Sequence, residues 1–125
     1  MGKKFLIDTN TLVDAQMKKL PVNGLQFLAT VIDEDFTVSF ITYIEFLGFK
    51  DATQASEDFI ALANVIEINR TIINTCIALR RKHRIKLPDA IIAATALTLN
   101  CTLVTNNEKD FMNIKGLNTI NLTKM

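Results

Sequence analysis

The stretch Phe5-Leu6-Ile7-Asp8-Thr9-Asn10, near the start of the chain, decides the fold. Its apolar run is typical of a buried parallel strand, and it stops at residues that begin a following helix. The stretch Leu103-Val104-Thr105-Asn106-Asn107-Glu108-Lys109-Asp110 repeats this arrangement near the other end. In an open parallel α/β sheet, ligand sites lie beyond the carboxyl ends of the strands, where the strand order reverses. Both stretches therefore place acidic side chains where such a sheet binds its ligands.

Strand patterns alternate with helical patterns along the rest of the chain. Strands are predicted at 4–8, 37–41, 65–68, 102–105 and 118–122, the last with the alternation of an edge strand. Helices are predicted before Pro21, from Leu25 to a turn at 33–35, from about Thr42, over 52–63, into the basic run 80–86, and from Pro88 to about Leu99. This alternation predicts an α/β fold, a three-layer α/β/α sandwich with a central, mostly parallel five-stranded sheet.

Composition limits the classes of protein that the chain can represent. The 125 residues, of which 49% are hydrophobic, predict a single domain over 1–125 with a substantial core. The 14 basic and 13 acidic residues give no global field for nucleic acid, so any such attraction must be local. Cys76, Cys101 and the single histidine His83 indicate neither a zinc site nor a disulfide framework. The apolar run before Asp8 is too short for a signal peptide, so we expect a cytoplasmic protein without a membrane segment.

Four acidic residues carry the chemistry. Asp8 follows the first strand, Glu45 lies in the helix after the second, Asp89 begins a helix, and Asp110 follows the fourth strand. If the first and fourth strands are neighbours, these positions converge. Carboxylates are the ligands that Mg²⁺ and Mn²⁺ prefer, and a held metal can activate a water for phosphodiester hydrolysis.

Each acid also has a structural interpretation. Asp8 alone could cap a helix, Asp89 could complement a helix dipole, and Asp110 could be a solvated surface acid. Glu45 is less easily explained, because its neighbours are apolar almost all round and such inconsistencies mark functional sites. The cluster Arg80–Lys86 has two interpretations, RNA steering or a solvated helix end, and the second is favoured. We expect His83, inside that cluster, to be exposed rather than catalytic.

Together these residues resemble a PIN-domain ribonuclease of the small VapC toxin type, over essentially the whole chain. The matching motifs are Leu6-Ile7-Asp8-Thr9-Asn10, Thr42-Tyr43-Ile44-Glu45, Leu87-Pro88-Asp89-Ala90-Ile91-Ile92-Ala93-Ala94-Thr95-Ala96 and the second acidic stretch extended to Phe111. The resemblance implies a PIN-like fold, an acidic pocket for Mg²⁺ or Mn²⁺, and endonucleolytic cleavage of RNA by the toxin of a toxin–antitoxin pair. It also implies a cognate antitoxin, whose C-terminal segment occupies the pocket, and a homodimer.

The resemblance assigns roles residue by residue. Asp8, Glu45 and Asp89 match the three acids that the family shares most firmly. Family members often have the fourth acid where this chain has Asn107, and Asp110 lies three residues further along. Either residue is then a candidate for the fourth site position, although an asparagine brings no charge to a cation. A further part of the resemblance is that Thr9 and Thr105 hold acids or a water in place through hydrogen bonds.

Three functions remain open at this stage. The leading prediction is a metal-dependent endoribonuclease toxin. The second is a degenerate, non-catalytic relative that binds RNA or a protein partner, which Asn107 suggests. The third is a phosphoacceptor signalling domain, which also has acids at strand ends but would need a lysine after a late strand, near Thr119, that this chain lacks.

Overall fold

The computed structural model describes residues 3–125. Its strands are β1 (Phe5–Ile7), β2 (Thr37–Ser39), β3 (Asn64–Ile66), β4 (Thr102–Val104) and β5 (Thr119–Ile120). Its helices are α1 (Thr9–Gln16), α2 (Val22–Asp35), α3 (Phe40–Leu47), α4 (Gln54–Ile60), α5 (Arg70–Lys82) and α6 (Leu87–Leu99). Two 3₁₀ turns, Glu108–Asp110 and Leu122–Lys124, flank β5.

The strands form two parallel ladders. In one, β4 pairs with β1 on one side and with β5 on the other; in the second, β2 pairs with β3. The strand β1 also lies beside β2, so the strands follow the order β3-β2-β1-β4-β5 across the layer. The predicted fold class and the edge position of β5 are confirmed, although the five strands form two hydrogen-bonded ladders instead of one. Strand order reverses between β1 and β4.

Alternating side chains send each strand into two separate cores. Leu6 and Leu103 point to the face that α5 and α6 cover. Ile7 and Val104, the next residues along, point to the opposite face, which α1, α2, α3 and α4 cover. Both pairs are fully buried. Because a strand's successive side chains face opposite sides, this pattern produces the three predicted layers.

Polar side chains decide where helices begin. The Asp8 carboxylate accepts from the backbone N–H of Thr9 and caps α1. Ser39 caps α3 by accepting from the N–H of Ile41 at 3.2 Å. The predicted strand over 37–41 was therefore too long, because the chain turns into α3 directly after Ser39. Thr53 caps α4 in the same way and sets its start, and the helix predicted over 52–63 also ends earlier, at Ile60.

Two other predicted boundaries were wrong. The acidic segment at 33–35, predicted as a turn after the helix, is helical and forms the end of α2. The first helix ends at Gln16, well before Pro21, because Lys18 adopts a left-handed backbone conformation with φ of 57°. Local apolar periodicity does not report either feature.

The Ala-rich part of α6 and both cysteines are buried in the protein. Residues 90–96 of α6 are all buried, and the four alanines among them let the helix approach the sheet closely. Cys76 and Cys101 are buried free thiols. Within residues 3–125, no helix combines the length and apolar character needed to cross a bilayer.

Candidate active site

Asp8 lies at the carboxyl end of β1, where the strand order reverses. Its backbone N–H donates to the carbonyl of Val104 at 2.9 Å, which continues the β1–β4 ladder by one residue. Its carboxylate is buried, with 5% of the residue exposed. The N–H of Thr9 donates to Oδ1 at 2.8 Å, and the hydroxyl of Thr105 donates to Oδ2 at 2.8 Å. The ends of β1 and β4 thus hold one carboxylate between them.

Burial and neighbouring acids raise the pKa of Asp8. Desolvation is the largest cause and moves this pKa from 3.8 to about 6. Hydrogen bonds from Thr105 and Thr9 lower the pKa, and the charges of Asp89 and Glu45 raise it. A nearby cation would favour the ionised form of this carboxylate, because a positive charge offsets both the cost of desolvation and the repulsion from the other acids.

Glu45 faces the same cleft from α3. The Thr9 hydroxyl donates to Glu45 Oε1 at 2.6 Å and lies 3.2 Å from the Thr42 hydroxyl. Glu45 is exposed, and so are its neighbours Tyr43 and Ile44. The apolar segment around Glu45 therefore leaves this acid in a wet cleft and does not bury it.

Asp89 and Asp110 complete the acidic region. They line a cavity of about 120 Å³ together with Arg84, Ile85 and Lys86. Burial is the largest cause that raises the pKa of Asp89, followed by the charges of Asp110 and Glu45, while Lys86 lowers it. Asp89 lies in the first turn of α6, as predicted.

Asn107 connects Asp110 to the end of β4. Its side-chain amide donates to the Asp110 carboxylate, and its backbone N–H donates to the Thr105 hydroxyl at 3.1 Å. Asp110 itself is exposed on a 3₁₀ turn, which the next residue, Phe111, anchors in the core. Asn107 thus holds the acid that lies three residues later.

The structure brings all seven predicted site residues into one region. The four acids interact electrostatically, Thr9 and Thr105 each donate to an acid, and Asn107 joins Thr105 to Asp110. Among these, Asp8 is buried, Asp89 is half-buried, and Glu45 and Asp110 are exposed. The predicted convergence depended on β1 and β4 being neighbours, and they are.

Sequence reasoning missed a second asparagine network. The Asn10 amide donates to Asp8 Oδ2 at 3.3 Å and to the Thr105 hydroxyl at 3.4 Å. Asn10 Oδ1 accepts from the backbone N–H of Asn106 at 3.2 Å, and the Asn106 side chain donates to Asp14. The signal was present, because Asn10 and Asp14 are four residues apart and share one face of α1.

The oxygen donors fit a hard divalent cation by their chemistry. Within residues 3–125, no three His, Cys, Asp or Glu side chains are arranged to hold a metal ion directly. Mg²⁺ commonly takes only one or two protein carboxylates and keeps several waters, so it does not need a closed protein cage. Asp8 has the most strongly held carboxylate of the region, since both of its oxygens accept hydrogen bonds.

The sequence as a whole matches one protein family. A family model described as PIN domain matches residues 5–117. A comparison with curated protein sequences finds no match.

Solved structures of similar fold cover nearly the whole chain. A chain of a toxin–antitoxin complex from Klebsiella pneumoniae is 31% identical, with a TM-score of 0.74 over 94% of this chain and 96% of that one. A chain of VapBC-1 from nontypeable Haemophilus influenzae is 26% identical, with a TM-score of 0.76 over 95% and 98%. A chain of VapBC2 from Rickettsia felis, bound to a promoter DNA fragment, is 25% identical, with a TM-score of 0.77 over 94% and 97%.

Proposed function

The chain belongs to the PIN-domain family, with VapC-type proteins as its structural relatives, and from this we propose that it is a metal-dependent endoribonuclease and the toxin of a toxin–antitoxin pair. One observation carries the proposal. Asp8, Glu45, Asp89 and Asp110 share one electrostatic region, yet among residues 3–125 the only ion pair within 4 Å joins Lys124 to Glu108. The four acids therefore have no directly paired protein cation, which suits a bound Mg²⁺ or Mn²⁺.

The residues of this chain have distinct roles in the proposed reaction. When bound, a divalent cation lowers the pKa of a coordinated water and stabilises the negative charge that develops on the phosphate. Thr105 and the Thr9 N–H fix both oxygens of Asp8, so this carboxylate presents a set orientation. The Thr9 hydroxyl holds Glu45, and Asn107 holds Asp110. Hydrogen-bonded carboxylates of this kind keep their ligand geometry before substrate arrives.

A cytoplasmic antitoxin is the proposed protein partner. An apolar cavity of about 350 Å³ lies between α1, α2, α3 and α4, with Leu12, Leu28 and Phe59 among its lining residues. Its mouth suits an apolar partner segment, while the C-terminal segment of the antitoxin would reach the acidic pocket.

The chain is also proposed to form a homodimer. Light scattering of the purified chain, alone and co-expressed with the protein encoded beside it, measures both assemblies.

The decisive experiment measures RNA cleavage by the wild-type and Asp8→Asn proteins with Mg²⁺, with Mn²⁺ and with chelator. We expect metal-dependent cutting by the wild type and none by the variant, because the buried ligand loses its charge. Asp58→Asn, at an exposed acid on α4, is the matched control and should cut like the wild type. Cutting by Asp8→Asn at the wild-type rate in Mg²⁺ would contradict the proposal.

Asn107 favours a second candidate function, a non-catalytic PIN domain that binds RNA or a protein partner. The position that often holds an acid in the family holds an amide here, which lowers the negative charge available to a cation. Absence of metal-stimulated cleavage by the wild type, with RNA or antitoxin binding retained, would favour this candidate over the nuclease.

A further inference from the structure

We propose that Arg84 and Lys86 are positioning residues that hold the RNA backbone at one edge of the acidic pocket. This inference rests on the proposed function and names the side from which substrate enters the same site. A phosphate next to the cleaved one would lie against these two cations, while the cleaved phosphate lies over the carboxylates.

The cavity beside α6 combines both signs of charge. Its lining includes the cations Arg84 and Lys86 together with the proposed site acids Asp89 and Asp110. Its volume of about 120 Å³ corresponds to about four waters at the density of the liquid. Lys86 is close enough to Asp89 to lower the pKa of that acid. The cations therefore lie at the border of the acidic region and not elsewhere on the surface.

The charge of this edge is local, and neither Arg84 nor Lys86 lies within 4 Å of a carboxylate in the described part of the chain. Five of the chain's 14 Lys and Arg residues fall within 80–86, although the whole chain has a net charge of only +1. The single ion pair found within residues 3–125 lies elsewhere, between Lys124 and Glu108. Arg84 and Lys86 are both exposed. Cations without a paired acid keep their capacity to bind phosphate.

The acidic pocket itself creates the need for such an edge. Four carboxylates repel a polyanion, so RNA needs attraction from outside the pocket to bring a phosphate over it. The helix-end interpretation of this cluster accounts for Arg80, Arg81 and Lys82, which lie in the last turn of α5. It does not account for Arg84 and Lys86, which follow that helix and face the cavity.

The test measures RNA binding without catalysis. All proteins carry Asp8→Asn and are assayed in chelator, with a fluorescein-labelled single-stranded RNA of mixed sequence and a series of KCl concentrations. Arg84→Gln/Lys86→Gln is compared with the matched control Lys3→Gln/Lys4→Gln, which removes two exposed cations before β1, at the opposite end of the sheet. Both double variants lower the net charge equally.

We expect the Arg84→Gln/Lys86→Gln protein to bind RNA about tenfold more weakly than its parent. The slope of log K against log[salt] should fall in magnitude by about 1.4, because two phosphate contacts are lost on a single strand. The control should keep the parent's slope and affinity. A merely structural role of the two cations would not change the salt slope.

Arg84→Gln alone serves as a second variant, because it leaves the interaction of Lys86 with Asp89 in place. In a chain with Asp8 intact, we expect it to raise KM for RNA cleavage several-fold more than it lowers kcat.

Equal affinities and slopes for the two double variants would overturn the inference, as would absence of RNA binding by the Asp8→Asn parent at every salt concentration. Metal-dependent cleavage by the wild type, together with either result, would leave the proposed function standing. Absence of that cleavage would instead remove the function on which the inference rests.

Discussion

At Asp8, burial and donated hydrogen bonds act on the same carboxylate in opposite directions. Burial disfavours the charged form, whereas Thr105 and the Thr9 N–H favour it, and burial is the larger effect. The nearby charges of Glu45 and Asp89 add to the burial. Without a bound cation, Asp8 is therefore ionised at neutral pH in surroundings that disfavour its charge. Such a perturbed carboxyl is typical of functional sites.

This conflict predicts how stability depends on pH. Since the pKa of Asp8 is about 6 in the native state against an ordinary 3.8, the native state keeps this proton where the unfolded chain has lost it. In chelator, the contribution of Asp8 to the free energy of unfolding should fall as pH rises from about 4 to about 6, by about 3 kcal/mol in total. Urea titrations across this range should show a smaller fall in Asp8→Asn than in wild type, because Asp89, whose pKa is also raised, still contributes to the fall in both proteins.

Metal binding should restore the stability that the native protein loses as pH rises. At pH 7, Mg²⁺ or Mn²⁺ that binds only the native state should raise the unfolding temperature of the wild type and leave that of Asp8→Asn unchanged. Asp33→Asn, at an exposed acid in the last turn of α2, is the control and should respond to metal like the wild type. Equal dependence of stability on pH in wild type and Asp8→Asn would show that the native state does not raise the pKa of Asp8.

The pair formed by Asn107 and Asp110 makes the fourth site position testable. We expect Asp110→Asn to weaken Mn²⁺ binding about tenfold, because one carboxylate charge is lost near Asp89. The exchange Asn107→Asp/Asp110→Asn should restore part of that affinity, since the charge returns to the same hydrogen-bonded pair. Isothermal titration with Mn²⁺ measures both. Glu108→Gln, on the same 3₁₀ turn, should bind like the wild type, and a loss as large as that of Asp110→Asn would argue against a specific role for Asp110.

At the scale of the element, helix α3 links a cap to the proposed chemistry. Ser39 is fully buried and caps α3, which holds Glu45, whereas Thr53 caps the short helix α4. Ser39→Ala and Thr53→Ala should each lower the free energy of unfolding by about 1 kcal/mol, as measured in urea. Only Ser39→Ala should also lower the rate of RNA cleavage, because α3 then positions Glu45 less firmly. Equal cleavage rates of the two variants would show that the N-terminal cap of α3 does not affect the proposed site.

The same caps explain which parts of the fold could be predicted from sequence. The strands β1 and β4 were predicted well, because each is a pure apolar run that ends at a polar residue. The end of β2 was misplaced, because Phe40 and Ile41 are as apolar as the strand before them, and only the bond from Ile41 to Ser39 marks the turn. The sequence predicts a turn where α2 in fact continues to Asp35, because three acids at this end oppose the helix dipole and only packing keeps them helical.

The site was predictable to the extent that topology determines it. Acids that follow parallel strands converge once β1 and β4 are neighbours, and this required no side-chain detail. The hydrogen bonds of Asn10 and Asn106 were not predictable, because amide side chains have many partners in a loop and only the folded geometry selects one. The exposure of Glu45 could not be predicted from the sequence either, because apolar neighbours along the chain do not distinguish a core position from the rim of a cleft.

At the scale of the whole molecule, the last residues complete the second core. Leu122 is buried in the 3₁₀ turn that follows β5, and it packs in the core formed with α1, α2, α3 and α4. This turn lies against α2 at Gly24, where a Cβ atom would come within 2.4 Å of the Leu122 carbonyl oxygen. Contact between two backbones leaves no flexible side chain to move aside. The close contact between α2 and this final 3₁₀ turn therefore requires glycine at position 24.

This close approach predicts the effect of Gly24→Ala. Alanine favours a helix over glycine by about 1 kcal/mol, so an unconstrained helix would become more stable. Here the clash with the Leu122 backbone should prevail and lower the free energy of unfolding by about 1–2 kcal/mol, measured by urea titration. Gln26→Ala, at an exposed position two residues along α2, should change it by less than about 0.5 kcal/mol. Leu122→Ala should lower it by about 3 kcal/mol, because the buried side chain leaves a cavity. A Gly24→Ala protein as stable as the wild type would mean that the final turn does not hold α2 at this contact, and that the second core closes without it.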